Sequence, residues 1–134
     1  DRALHVHGAL DLAAMNQAAQ LLLGQHDFAA FKAAHSRVTD TRRTLYLSAW
    51  RQEGRHLYYE VAGSGFLYNM VRILVGSMLR IGLGFEAPES LAAALTGRSR
   101  ALAGPTAPAK GLMLARVEYP EFDTADYVEF AQGV

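Results

Sequence analysis

The stretch Phe66-Leu67-Tyr68-Asn69-Met70-Val71-Arg72-Ile73-Leu74-Val75-Gly76-Ser77-Met78-Leu79-Arg80-Ile81-Gly82-Leu83 decides how the rest of the chain is read. Its apolar residues recur at helical spacing, and the pattern predicts a long helix over residues 66–83. At about 100° per residue, Asn69, Arg72, Gly76 and Arg80 fall within one narrow stripe, and apolar side chains cover most of the remaining surface. Such a helix is buried on nearly every side and keeps one polar seam. A guanidinium on that seam needs an anionic or carbonyl partner, because an unpaired buried charge is too costly to keep. A carboxylate of the same fold, such as Glu60, could serve, and so could an anion from elsewhere. Gly76 costs about 1 kcal/mol against alanine in mid-helix, so it implies a close approach on the seam, by a second element or by a bound group.

Working outward, two partly alternating runs, Thr44 to Arg51 and His56 to Ala62, flank Gln52-Glu53-Gly54-Arg55 and predict a β-hairpin. Upstream, Asp11 is placed to cap a helix that carries Leu12, Met15, Ala19, Leu22 and Leu23 on one face, closed by Gly24. Downstream, Pro88 to Leu95 predicts a short helix ended by Gly97, Ala103 to Lys110 a loop, and Gly111 to Tyr119 a third strand. Asp123 to Gln132 is expected to be partly helical. These elements do not alternate in the regular order of a parallel sheet, so the fold class is α+β, an antiparallel β-sheet with helices packed on one face. Phe28 and Phe31 are expected in the core rather than against a ligand.

With 134 residues, 51% of them hydrophobic, the chain suits one domain, residues 1–134. No cysteine is present, which leaves no disulfide or thiolate metal site and suits a reducing, cytoplasmic compartment. The apolar run Ile73 to Met78 is broken by Gly76 and Ser77, so no membrane span is expected. The opening Asp1-Arg2-Ala3-Leu4 lacks both an initiator methionine and a signal-peptide pattern, as expected of a piece of a longer protein. Net charge is zero but sorted: residues 37–116 hold eleven Lys or Arg against five Asp or Glu, and residues 118–129 hold five acids and no base. The basic middle could meet a polyanion from which the acidic end stays clear. His5 and His7 would share a face of a strand, but no motif supplies a third ligand, so no metal site is expected.

The run Phe66 to Gly76 resembles the F-L-x-x-M-V-R-x-I-V-G signature of TruA-type tRNA pseudouridine synthases. Two further stretches agree in order and spacing: Met15-Asn16 through Leu23-Gly24 to Asp27-Phe28 and Phe31, and Ala107-Pro108-Ala109-Lys110-Gly111-Leu112 with Leu114 and Val117. The resemblance implies an enzyme of two related halves, with the active cleft between them and a homodimer presenting tRNA. Uridines of the anticodon stem-loop, family positions 38–40, would be isomerised to pseudouridine without metal or organic cofactor. This chain is similar to the second half. The family's catalytic aspartate lies in an R-T-D-x-G-V-H-A motif that is absent here, since Thr39-Asp40-Thr41 and Phe122-Asp123-Thr124 lack its flanking residues. The chain alone is therefore expected to be inactive.

By the same resemblance, Arg72 pairs with and orients that aspartate across the cleft, and Leu112 packs near the target uracil. Asn69 and Gly76 on the Arg72 seam complete the expected substrate side. Arginine beside a carboxylate keeps it ionised, as a nucleophile requires. Arg37, Arg42, Arg43, Arg98, Arg100 and Lys110 are the candidates for tRNA phosphate contacts. The alternative is a non-catalytic RNA-binding module using the same sheet and basic loops.

Overall fold

The computed structural model describes residues 4–5, 9–33, 36–54, 56–67, 69–107, 112–120 and 123–133; for residues 4–5, 112–120 and 123–133 it gives the strand pairing. In chain order the elements are β1 (Leu4–His5), α1 (Leu12–Leu21), β2 (Gly24–Asp27), β3 (Arg42–Glu53), β4 (His56–Gly63), α2 (Met70–Gly82), α3 (Glu89–Gly97), β5 (Leu112–Pro120) and β6 (Asp123–Gly133). The strands form one sheet along β1-β6-β4-β3-β2, with β5 also paired to β6. All pairings are antiparallel except the two-residue β1–β6 contact. The α+β sheet expected from the sequence is the one found.

Strand alternation explains why the helices lie on one face. Leu45, Ser48 and Trp50 of β3 and Leu57, Tyr59 and Val61 of β4 are buried, whereas Leu47, Ala49, Arg51, Tyr58, Glu60 and Ala62 between them are half-buried. The buried set joins Met15, Ala18, Ala19 and Leu22 of the first helix region, Leu91 and Ala94 of α3, and most of α2 in one core cluster. Burying each such Leu, Ile or Met contributes about 1.5–3 kcal/mol, so α2, buried everywhere except at Arg72 and Arg80, anchors the domain. Helix α1 starts where expected: the Asp11 carboxylate accepts the Ala14 N–H at 3.0 Å. It crosses α2 where Gly82 lacks a side chain, since a Cβ there would stand 2.5 Å from the Met15 sulfur.

Helix α1 also completes the sheet. Strand β2 pairs with β3 only as far as Leu45, which leaves the β3 edge open beyond it. The Asn16 amide closes that gap, accepting the Trp50 N–H at 2.7 Å and donating to the Trp50 carbonyl at 3.0 Å. Gln20 donates to the Ser48 carbonyl at 3.3 Å. Two side chains thus do what a further strand would do for the backbone.

Four expectations need correction. Residues 123–133 are strand rather than partly helical: Tyr127, Val128 and Phe130 favour strand, and β4 and β5 pair this segment on both edges. Helix α2 begins at Met70 rather than Phe66, because Asn69 adopts a left-handed conformation, φ 62°, that a helix cannot pass through. Helix α3 runs on through Gly97, and it is Arg98, φ 57°, that takes the left-handed terminal position. The hairpin turn is tighter than expected, with Glu53 opposite His56 and Gly54 at φ 60°. Phe28 and Phe31 are core residues, fully buried and edge to face with centroids 6.2 Å apart.

Candidate functional site

Arg72 sits one turn into α2 and is held from two directions. Its Nε donates to the Ala107 carbonyl at 2.8 Å, and its Nη1 donates to the Asn69 Oδ1 at 3.1 Å. The Ala107 N–H returns a bond to the Arg72 carbonyl at 2.9 Å. Among the described residues no carboxylate pairs with Arg72. Glu60, the candidate partner within the fold, lies instead with its Oε2 3.1 Å from the Arg51 Nε, on the sheet face away from the helices. A guanidinium has five N–H donors, so two anchoring bonds leave donors available on a side chain that cannot swing freely.

The close approach expected at Gly76 is made by the chain's own backbone. A Cβ on Gly76 would run into the Pro105 carbonyl and lie 3.2 Å from the Ala107 nitrogen. Gly104 is the matching small residue, because its Cβ would stand 2.8 Å from the Ser77 Cα. Between these contacts the Ser77 hydroxyl donates to the Ile73 carbonyl at 2.8 Å and accepts the Gly104 N–H at 2.8 Å. Residues 104–107 are therefore pressed onto α2 along its polar seam, and Ala107 arrives at Arg72. The missing side chain at Gly76 makes room for this loop.

Arg100 bolts the same loop from outside, donating to the Gly104 carbonyl at 2.8 Å and to the Thr106 hydroxyl at 3.3 Å. It is half-buried and spends its bonds on this loop. Arg37, Arg42 and Arg98 are exposed. Arg42 lies opposite Asp27 in the β2–β3 register and pairs with Asp40 at 3.3 Å; Arg98 reaches Asp27 at 3.7 Å. The Arg42 backbone N–H, then its guanidinium, hold the Asp40 carboxyl below its usual range. Arg43 bonds the carbonyls of Asp40 and Arg42, and its side chain runs beside Gly65 on the approach to α2. Lys110 and the Leu112 side chain lie outside the described residues. The Leu112 backbone opens β5 opposite Phe130, five residues after Ala107, within roughly 18 Å of it even if extended.

The residue that reading the sequence missed is Ala107. Its side chain has no chemistry and its carbonyl makes the contact, so only its place at the head of a motif ending in Leu112 marked it. No group of three or more potential metal ligands occurs among the described residues, and no described helix is long and apolar enough to cross a membrane.

Residues 18–120 match a family model described as tRNA pseudouridine synthase. The chain is 50% identical over 117 residues to a tRNA pseudouridine synthase A of Shouchella clausii, covering 87% of this chain and 45% of that protein. It is 47% identical over 113 residues to the namesake from Geobacillus kaustophilus, covering 84% and 44%. A third relative of that name, from Syntrophotalea carbinolica, is 45% identical over 122 residues, covering 91% and 48%. The chain thus spans a little under half the length of these curated relatives.

Proposed function

We propose that this chain, which belongs to the tRNA pseudouridine synthase family, is the second half of a synthase that isomerises uridine to pseudouridine in the anticodon stem-loop of tRNA. It supplies the arginine side of the active cleft, and the nucleophilic aspartate comes from a half outside residues 1–134. The observation that carries this is Arg72: half-buried, fixed by Asn69 and Ala107, with no carboxylate partner among the described residues. An arginine so placed is ready for a carboxylate brought by another domain.

In that cleft Arg72 lowers the pKa of the facing aspartate and fixes its direction of attack. The target base leaves the stem stack at a cost of a few kcal/mol, offset by pocket contacts to which Leu112 contributes. Uracil detaches from its ribose, turns, and rejoins through a ring carbon, whose hydrogen is lost to solvent. Arg37, Arg42, Arg43, Arg98 and Lys110 are proposed to meet tRNA phosphates, whereas Arg100 acts through the loop it holds. A homodimer and a cytoplasmic setting are part of this proposal, the first supported by the family resemblance and the second by the cysteine-free composition.

The test is Arg72→Ala in the whole product of the gene. Turnover on a tRNA transcript is expected to fall roughly 100-fold or more, with tRNA affinity changed less than about threefold. Loss of affinity and salt dependence with turnover unchanged would instead favour a non-catalytic RNA-binding module.

A further inference from the structure

We infer that Asn69 is a positioning residue for the reaction: its left-handed backbone and its amide oxygen together aim the Arg72 guanidinium, so that Asn69 acts through Arg72 and not on the substrate. The inference rests on the role proposed for Arg72.

Asn69 stands at φ 62°, ψ 5°, immediately before the first residue of α2. Non-glycine residues avoid this region, and asparagine is among the few that tolerate it. An asparagine at a helix start usually caps it through a side-chain oxygen that accepts a backbone N–H. This one makes no such bond. Its Oδ1 accepts from Arg72 Nη1, three residues on. The Ile73 N–H is satisfied by the Asn69 carbonyl, and the Met70 N–H by the Leu67 carbonyl, both at 3.0 Å. The side chain has thus given up the ordinary capping role and turned to the arginine.

The bond geometry makes this useful. The Ala107 carbonyl fixes Nε near the root of the guanidinium, which alone would leave the plane free to rock about that bond. A second acceptor on Nη1 removes that freedom and leaves the Nη2 donors to a partner from outside. Both acceptors are neutral, so the arginine keeps its full charge for a carboxylate arriving from outside. A carboxylate at position 69 would have competed for it.

The experiment is a double-mutant cycle on the whole gene product, with Asn69→Gly, Arg72→Ala and the pair. Glycine adopts the left-handed conformation freely, so Asn69→Gly removes the acceptor and keeps the backbone. Expected for Asn69→Gly are a roughly tenfold lower kcat, KM within about twofold, and an acidic limb of the kcat profile displaced to higher pH. The displacement follows because a loosened arginine stabilises the ionised nucleophile less. In the Arg72→Ala background the added Asn69→Gly change should cost nothing further. An equal cost in both backgrounds, or an unchanged kcat and acidic limb for Asn69→Gly alone, overturns the inference and leaves the role of Arg72 intact. An unchanged kcat for Arg72→Ala itself overturns the reading beneath it.

Discussion

Arg72 and Ala107 hold each other at two points, the arginine Nε on the Ala107 carbonyl and the Ala107 N–H on the arginine's own carbonyl. The arginine's direction is therefore set in part by backbone thirty-five residues away in the chain, and that backbone can lie so close because Gly76 has no side chain.

Gly76→Ala puts a methyl group where the Pro105 carbonyl lies. The contact is backbone, which cannot yield as a side chain tip would. A loss of about 1–3 kcal/mol of stability is expected, measured by the urea midpoint, together with a fall in turnover as Ala107 is pushed from Arg72.

Asn16→Ala removes the two hydrogen bonds that Asn16 makes with the Trp50 backbone on the β3 edge beyond Leu45. Destabilisation of about 1–3 kcal/mol is expected, with faster hydrogen exchange at the Trp50 amide. Turnover at a temperature where the variant is folded should not change.

The basic residues should separate by salt dependence. Loss of a phosphate contact at Arg42 or Arg98 lowers the slope of log affinity against log salt by about one each. Arg100→Ala should leave that slope alone and lower kcat, since it frees the loop at Gly104 and Thr106.

The buried Tyr59 hydroxyl shares a 2.7 Å hydrogen bond with Ser48, and burial pushes its pKa well above the usual tyrosine value. Because the folded-state pKa is the higher one, this stabilisation is complete below about pH 10 and is lost as pH rises beyond it. Tyr59→Phe should cost about 1 kcal/mol at neutral pH and decline less steeply above pH 10 in thermal melts.

Much of this was legible in the sequence because it depends on local rules. The Asp11 cap, the hairpin and the apolar wrap of α2 follow from spacing and side-chain type. The Asp123–Gly133 strand was only partly legible: Tyr127, Val128 and Phe130 favour strand, but the pairing on both edges that fixes it is not local. Arg72 stood out as a charge that needed a partner, but the partner is a carbonyl, and any alanine would look the same on the page. Arg100 read as one more surface base among several, and only tertiary contact shows it tied to the loop. At Gly76 the sequence marked a close approach without saying what approaches.

The most direct test of the central claim is label release from the uracil ring of an unmodified tRNA transcript, comparing residues 1–134 alone with the whole product of the gene. Release by the whole product and none by residues 1–134 is the expected result, because the proposed function takes the nucleophilic aspartate from the other half. Release by residues 1–134 alone would place the nucleophile within this chain and contradict the account.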